Sequence, residues 1–223
     1  MRNIELYQAL RARMTALVVG ADGSAAVPAC PDWTARDLLA HVTGAADDLA
    51  EGRLDGVGTD AWTEVQVQAR TEQSLAEVLE EWAEAGPRME EAVRLVFDDA
   101  PAQLIFDTVT HEHDLRQAVG ATGERDADSL EVALGWVAGA WEQAAPRGPG
   151  TLRLVAGERT IDLGDGEPDV VVTLSPFEAL RALSGRRSTD QLRGYAATGP
   201  VDPWLPSFTW GPFVPRADPL DER

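Results

Sequence analysis

Two of the chain's three histidines, His111 and His113, lie in the stretch FDTVTHEHDLRQAVG, Phe106 to Gly120, with Asp107, Glu112 and Asp114 around them. Imidazole and carboxylate side chains are common ligands of divalent ions, and they are equally common on solvated helix faces. Helix geometry sorts them by direction. At about 100° per residue, Asp107 and His111 are neighbours at i and i+4, and Asp114 continues the stripe at i+7. His113 points roughly 200° away from His111, so only one of the pair can join Asp107. For His113 an exposed position, or one behind the other side chains, is expected rather than a ligand role. The third histidine, His41, shares a helix face with Leu38, Val42 and Ala45. A buried imidazole without a partner costs on the order of a few kcal/mol, so His41 needs one. If the two helices pack in one bundle, His41 can meet Asp107 and His111. That would make a His/His/carboxylate site with open positions, the catalytic type of zinc coordination. Spacing alone leaves the plainer readings open as well: a surface carboxylate–histidine pair, and a hydrogen-bonded core histidine.

The elements that must position these residues can be read from pattern. Ile4, Tyr7, Leu10, Met14 and Leu17 have helical spacing. Thr34-Ala35-Arg36-Asp37 is a capping-box pattern, and the helix it opens should run to about Glu51, stopping at Gly52. A helix from near Ala61 would place Trp62, Val65 and Ala69 on one face. Ser74-Leu75-Ala76-Glu77 is a second capping box, opening a helix toward Phe97 that Gly86-Pro87 should kink or break. Pro101 suits the first position of the helix that carries His111, which should end near Gly120. A further helix, Ser129 to Ala144, shows Leu130, Leu134, Val137 and Trp141.

The pattern then changes. Thr151–Ala156 and Arg159–Leu163 alternate around Gly157-Glu158 as a hairpin, and Asp169–Leu174 reads as a buried strand. Short helices should follow Ser175-Pro176 and Ser188, the second reaching about Ala196. The Pro- and aromatic-rich tail is expected to lack regular structure. The reading is mainly α: a helical bundle over residues 1–145, then a small α/β domain over 150–223.

Composition limits the function classes. The chain has 223 residues, a net charge of -19, and 19 basic residues that are all arginine. Such a surface repels polyphosphate and acidic lipid, so neither nucleic acid nor a membrane is expected as a partner. No apolar run is long enough to cross a bilayer, and the charged N-terminus has no apolar signal core, so a cytoplasmic location is expected. The single cysteine, Cys30, excludes an internal disulfide and a multi-cysteine zinc finger, and is expected to be a small buried hydrophobe.

Taken together, CPDWTARDLLAHV, DTVTHEHDLRQAVG and LSPFEALRALSGRRS resemble the actinobacterial mycothiol-dependent maleylpyruvate isomerase family, within the DinB-like metalloenzyme superfamily. The resemblance spans nearly the whole chain. It implies a DinB-like four-helix bundle with an additional helix and a small C-terminal domain. It also implies a divalent ion, zinc or alternatively nickel, held by His41, Asp107 and His111. The isomerase itself commonly has glutamate at the acid position, and Asp107 is one methylene shorter. Asp114 is placed behind a ligand imidazole, with a cap or a salt bridge to Arg116 or Arg36 as the other reading. Trp33 is expected to pack at the helix entrance.

The function implied is that of a metal- and mycothiol-dependent isomerase or S-transferase, with the thiolate at the metal as nucleophile. Mycothiol enters as co-substrate alongside an electrophilic small molecule, in a monomer or homodimer. An arginine of the small domain would hold an anionic substrate. Arg186 is the candidate, with Arg187 and Arg193 beside it, and plain surface charge is the other reading of all three. The alternatives are a non-catalytic DinB-like protein that binds a small molecule or partner, and a metal-dependent hydrolase.

Overall fold

The computed structural model describes residues 2–97 and 99–222. The chain divides into two compact units, Met1–Thr122 and Gly123–Arg223. It is mainly helical, with a small sheet in the second unit.

In the first unit α1 (Arg2–Val18) buries Ile4, Tyr7, Leu10, Met14 and Val18 along one stripe. The helix α2 (Ala35–Glu51) starts where its pattern says. Thr34 Oγ1 accepts from the Asp37 backbone N–H at 3.3 Å, and Asp37 Oδ2 accepts from the Thr34 N–H at 2.9 Å. It ends on Gly52, whose φ of 71° is left-handed and cheap for glycine. Then come α3 (Asp60–Gln68), α4 (Leu75–Phe97) and α5 (Ala102–Ala118). Packing of α2 on α4 and α5, and of α1 on α5 and α4, makes a four-helix bundle, with α3 laid against α2.

Two expectations change here. First, α4 runs unbroken through Pro87. Proline in a helix interior costs about 3 kcal/mol. The stripe it would interrupt buries Val78 and Trp82 before it and Met89 and Val93 after it, each worth about 1.5–3 kcal/mol. Burial wins. The preceding Gly86 also matters, because a Cβ there would lie 2.7 Å from Arg11 Nε on α1. Second, α5 has almost no solvent face. Thr110, His111, Glu112, His113, Asp114 and Arg116 are all buried, which excludes the exposed position for His113 and leaves the one behind the other side chains.

The second unit contains α6 (Asp128–Ala144), β1 (Leu152–Ala156), β2 (Arg159–Leu163), β3 (Val170–Leu174), α7 (Pro176–Leu183), α8 (Thr189–Arg193) and β4 (Ala196–Ala197). The sheet order is β2-β1-β3-β4. The β1–β2 hairpin turns at Gly157, φ 64°, and β1 pairs in parallel with β3, Leu152 opposite Val170. Helix α6 packs on α7 and β2, so the division falls after Thr122 instead of near residue 145. Periodicity shows that α6 has an apolar face but is silent on which partner covers it. Helix α8 stops at Arg193 because Gly194 caps it and the next residues pair with β3. The tail is also more regular than expected: a 3-10 helix, Asp202–Phe208, buries Trp204 and Phe208. Its Ser207 carbonyl accepts from Trp141 Nε1 at 2.8 Å. Among the described residues no helix is long and apolar enough to cross a membrane.

Candidate metal centre

The first unit brings His41 of α2 together with Asp107 and His111 of α5. Their ligand atoms all lie within 4.8 Å of one another. His41 Nε2 is 3.6 Å from Asp107 Oδ2, and His111 Nε2 is 3.6 Å from Asp107 Oδ1. The imidazole rings meet edge to face, centroids 5.0 Å apart. Both histidines are buried, while the Asp107 side chain is 36% exposed, so the group opens to solvent on the carboxylate side. Trp33 lies 5.4 Å from the His41 ring and 5.9 Å from the His111 ring, and Trp62 stands edge-on to His41 at 6.2 Å. Trp33 thus sits beside the α2 entrance, as expected, and also walls both imidazoles.

The donor spacing fits a divalent ion. At 3.6 Å the two imidazole–carboxylate approaches are too long for hydrogen bonds. Two ligands each about 2.0–2.1 Å from a tetrahedral ion stand about 3.3 Å apart. The donor set, two imidazole nitrogens and one carboxylate, is that of catalytic zinc sites with three protein ligands. Asp107, despite its short side chain, reaches both rings.

Each imidazole has a different group behind it. His41 Nδ1 is 2.7 Å from Gln66 Oε1, and Gln66 Nε2 donates to Asp48 Oδ2 at 2.7 Å. Arg53 Nε donates to the other oxygen of Asp48 at 2.8 Å. Behind His111, Nδ1 is 3.3 Å from Oδ2 of the fully buried Asp114, without good hydrogen-bond alignment. Cys30, half-buried rather than buried, brings Sγ within 3.8 Å of the same Asp114 oxygen. Cys30, His111 and Asp114 therefore form a second close group that shares His111. Of the arginines named for Asp114, Arg116 pairs with Glu112, and Arg36 with Asp37.

Gln66 and Asp48 carry no motif and are not singled out by sequence. The sequence signal that exists is Gly44, one helical turn after His41. A Cβ there would lie 2.6 Å from Gln66 Cβ and 2.8 Å from Arg70 Nη1. Glycine lets α3 close onto α2. Next to the centre on α5, the buried Glu112 accepts from Arg13 and Arg116, each at 2.8 Å. Burial pushes its carboxyl pKa up, but the two guanidiniums more than offset this and hold it below the usual glutamate range.

The expected arginines lie in the second unit. Arg186 is half-buried and donates to the Ser184 carbonyl at 2.8 Å. Arg187 is buried between Glu178 and Glu222, and Arg193 is exposed beside Asp190 and Asp202.

No curated protein matches the chain. Among solved structures, the crystal structure of the mycothiol-dependent maleylpyruvate isomerase superposes with a TM-score of 0.61 at 16% identity, covering 88% of this chain and 92% of that one. The structure of a histidine-to-alanine mutant of that isomerase gives 0.59 at 17% identity, with the same coverage. At these identities the likeness is one of fold. The family model goes further, since its match to the mycothiol maleylpyruvate isomerase N-terminal domain runs over residues 5–122, more than half the chain. That span contains the capped helix of His41, the Asp107–His111 turn and everything packed behind them, and the chain belongs to this family.

Proposed function

We propose that the protein is a metal- and mycothiol-dependent enzyme acting on an electrophilic small molecule, as an isomerase or an S-transferase. The observation that carries this reading is the convergence of two imidazole Nε2 atoms on the two oxygens of Asp107. His41, Asp107 and His111 would hold the ion, with zinc favoured by the donor set and nickel the other candidate. A divalent ion there supplies a Lewis acid that favours the thiolate of a bound thiol, and so a nucleophile at neutral pH. The chain's own residues do the rest. Gln66 orients the His41 imidazole from behind, Asp114 sets its negative charge behind that of His111, and Trp33 and Trp62 shield the group from water on the imidazole side. The exposed edge of Asp107 leaves the side from which thiol and electrophile arrive.

In the isomerase form, the thiol sulfur adds to one carbon of a conjugated double bond. Rotation about the resulting single bond follows, and the same sulfur leaves. In the S-transferase form the adduct takes up a proton and keeps the sulfur. Arg186 is our candidate for holding the substrate's anionic group. A cytoplasmic setting, where low-molecular-weight thiols stay reduced, belongs to the same reading.

The test has two arms. Protein purified without a metal-binding tag is analysed for metal, and turnover of maleylpyruvate is followed with and without mycothiol. Full metal retention in His111→Ala overturns the ligand set. Absence of both mycothiol binding and any mycothiol effect on turnover overturns the thiol reading.

A further inference from the structure

The best-made hydrogen bond at the centre is the 2.7 Å contact between His41 Nδ1 and Gln66 Oε1. Its direction is dictated from further out. A carboxylate can only accept, so the Gln66 amide must turn its NH2 toward Asp48 and its carbonyl oxygen toward His41. A carbonyl oxygen also only accepts, so Nδ1 is the nitrogen of His41 that carries the proton. The neutral ring then keeps its lone pair on Nε2, the nitrogen that faces Asp107. Free neutral histidine prefers the opposite tautomer, with the proton on Nε2, where it would block a ligand role.

The relay is anchored at both ends. Arg53 grips Asp48 through Nε and Asp47 through Nη2. Arg70 Nη1 donates to the Gln66 backbone carbonyl at 3.0 Å, and its guanidinium pairs with Glu81 of α4. Helix α3 therefore acts as a strut, fixed to α4 at its end and let in against α2 at Gly44.

We propose that Gln66 is a positioning residue. Directed by Asp48 and Arg53, it selects the Nδ1–H tautomer of His41 and so presents Nε2 to the centre. Its consequence for metal binding rests on the reading given under Proposed function, but the tautomer itself can be read without metal. Outer partners of ligand imidazoles typically contribute 10–100-fold in metal affinity.

The experiment is long-range 1H–15N correlation of the histidine rings in the metal-free full chain, paired with zinc competition against a chromophoric chelator. Wild type is expected to carry the His41 proton on Nδ1. In Gln66→Leu it should shift toward Nε2, with the zinc dissociation constant raised about 10–100-fold. Gln68→Leu, on the exposed side of the same helix, should change neither. A wild-type His41 protonated on Nε2 overturns the proposal, and so does a Gln66→Leu protein that keeps both tautomer and affinity. If Gln66→Leu does not fold, Asp48→Asn takes its place, because it keeps the size and loses the direction. A tautomer shift in Asp48→Asn supports the relay, and an unchanged tautomer overturns it. Metal retention in His111→Ala would instead remove the ligand set and leave the His41 tautomer to decide Gln66 separately.

Discussion

Each unit contains a cluster of buried ionisable side chains, and the two are built differently. In the second unit Arg181 Nη2 lies 2.7 Å from Glu222 Oε1, and Arg187 joins Glu222 to Glu178 at hydrogen-bond distance. The Tyr195 hydroxyl donates to Glu178 at 2.6 Å. Acids and bases there stand at bonding distance and complete one another. In the first unit the two oxygens of Asp107 each stop 3.6 Å short of an imidazole nitrogen. That spacing would suit a divalent ion between them. Buried polar residues alone do not mark a site. What distinguishes the candidate centre is donor spacing that suits an ion, with partners packed behind the imidazoles.

The largest effect that could break this contrast concerns metal. His111→Ala should abolish stoichiometric zinc or nickel, read by elemental analysis, whereas His113→Ala should keep it. Arg187→Ala should leave metal content unchanged and cost about 1–3 kcal/mol of stability, because Glu222 and the half-buried Glu178 each lose one charged partner while keeping Arg181 and Tyr195. Denaturant unfolding measures that cost, and metal loss in Arg187→Ala would contradict the separation of roles. Of similar size is Gly44→Ala, where the added methyl meets Gln66 and Arg70. We expect about 1–3 kcal/mol of destabilisation together with weaker zinc binding, and unchanged zinc affinity would show that α3 does not need its close approach.

The smallest effect sharpens the comparison through pH. Glu112 and Glu178 are both raised by burial and lowered further by their partners: Arg13 and Arg116 for the first, Arg187 and Tyr195 for the second. A carboxyl whose pKa is depressed on folding stabilises the protein above the ordinary glutamate pKa of about 4.3. That stabilisation fades as pH falls through the depressed value. The slope is at most about 1.4 kcal/mol per pH unit for each group. Glu112→Gln should therefore be less stable than wild type at neutral pH, with the gap closing below about pH 4. Unfolding free energies at several pH values check this, and a constant gap would show that the carboxylate charge contributes nothing.

Much of this molecule is written locally. The Thr34 capping box, the Gly52 stop, the Ser74–Glu77 box and the alternating hairpin all depend on neighbours in sequence, and each is legible. Spacing also put Asp107 and His111 on one face, because an i, i+4 pair must share it, and the family resemblance added His41, which the fold brings beside them. What escaped depends on partners distant in sequence. Spacing favoured a Trp62–Val65–Ala69 face for α3, yet Val65 is exposed, and it is Gln66 and Val67 that are buried. A glutamine facing a histidine 25 residues away leaves no local mark. The burial of Glu112 is likewise invisible, since the helix has charged residues on every side and only the surrounding bundle decides which are covered. The parallel pairing of β1 with β3 and the allegiance of α6 are of the same kind.

The indole of Trp33, 5.4 and 5.9 Å from the two imidazole rings, also makes the centre observable. An ion with a partly filled d shell drains the excited state of an aromatic ring held this close. Cobalt added to the unlabelled protein should therefore dim its ultraviolet emission as the centre fills. Replacing Trp33 with phenylalanine would remove much of that signal, so the wall around the histidines doubles as a built-in optical gauge of occupancy.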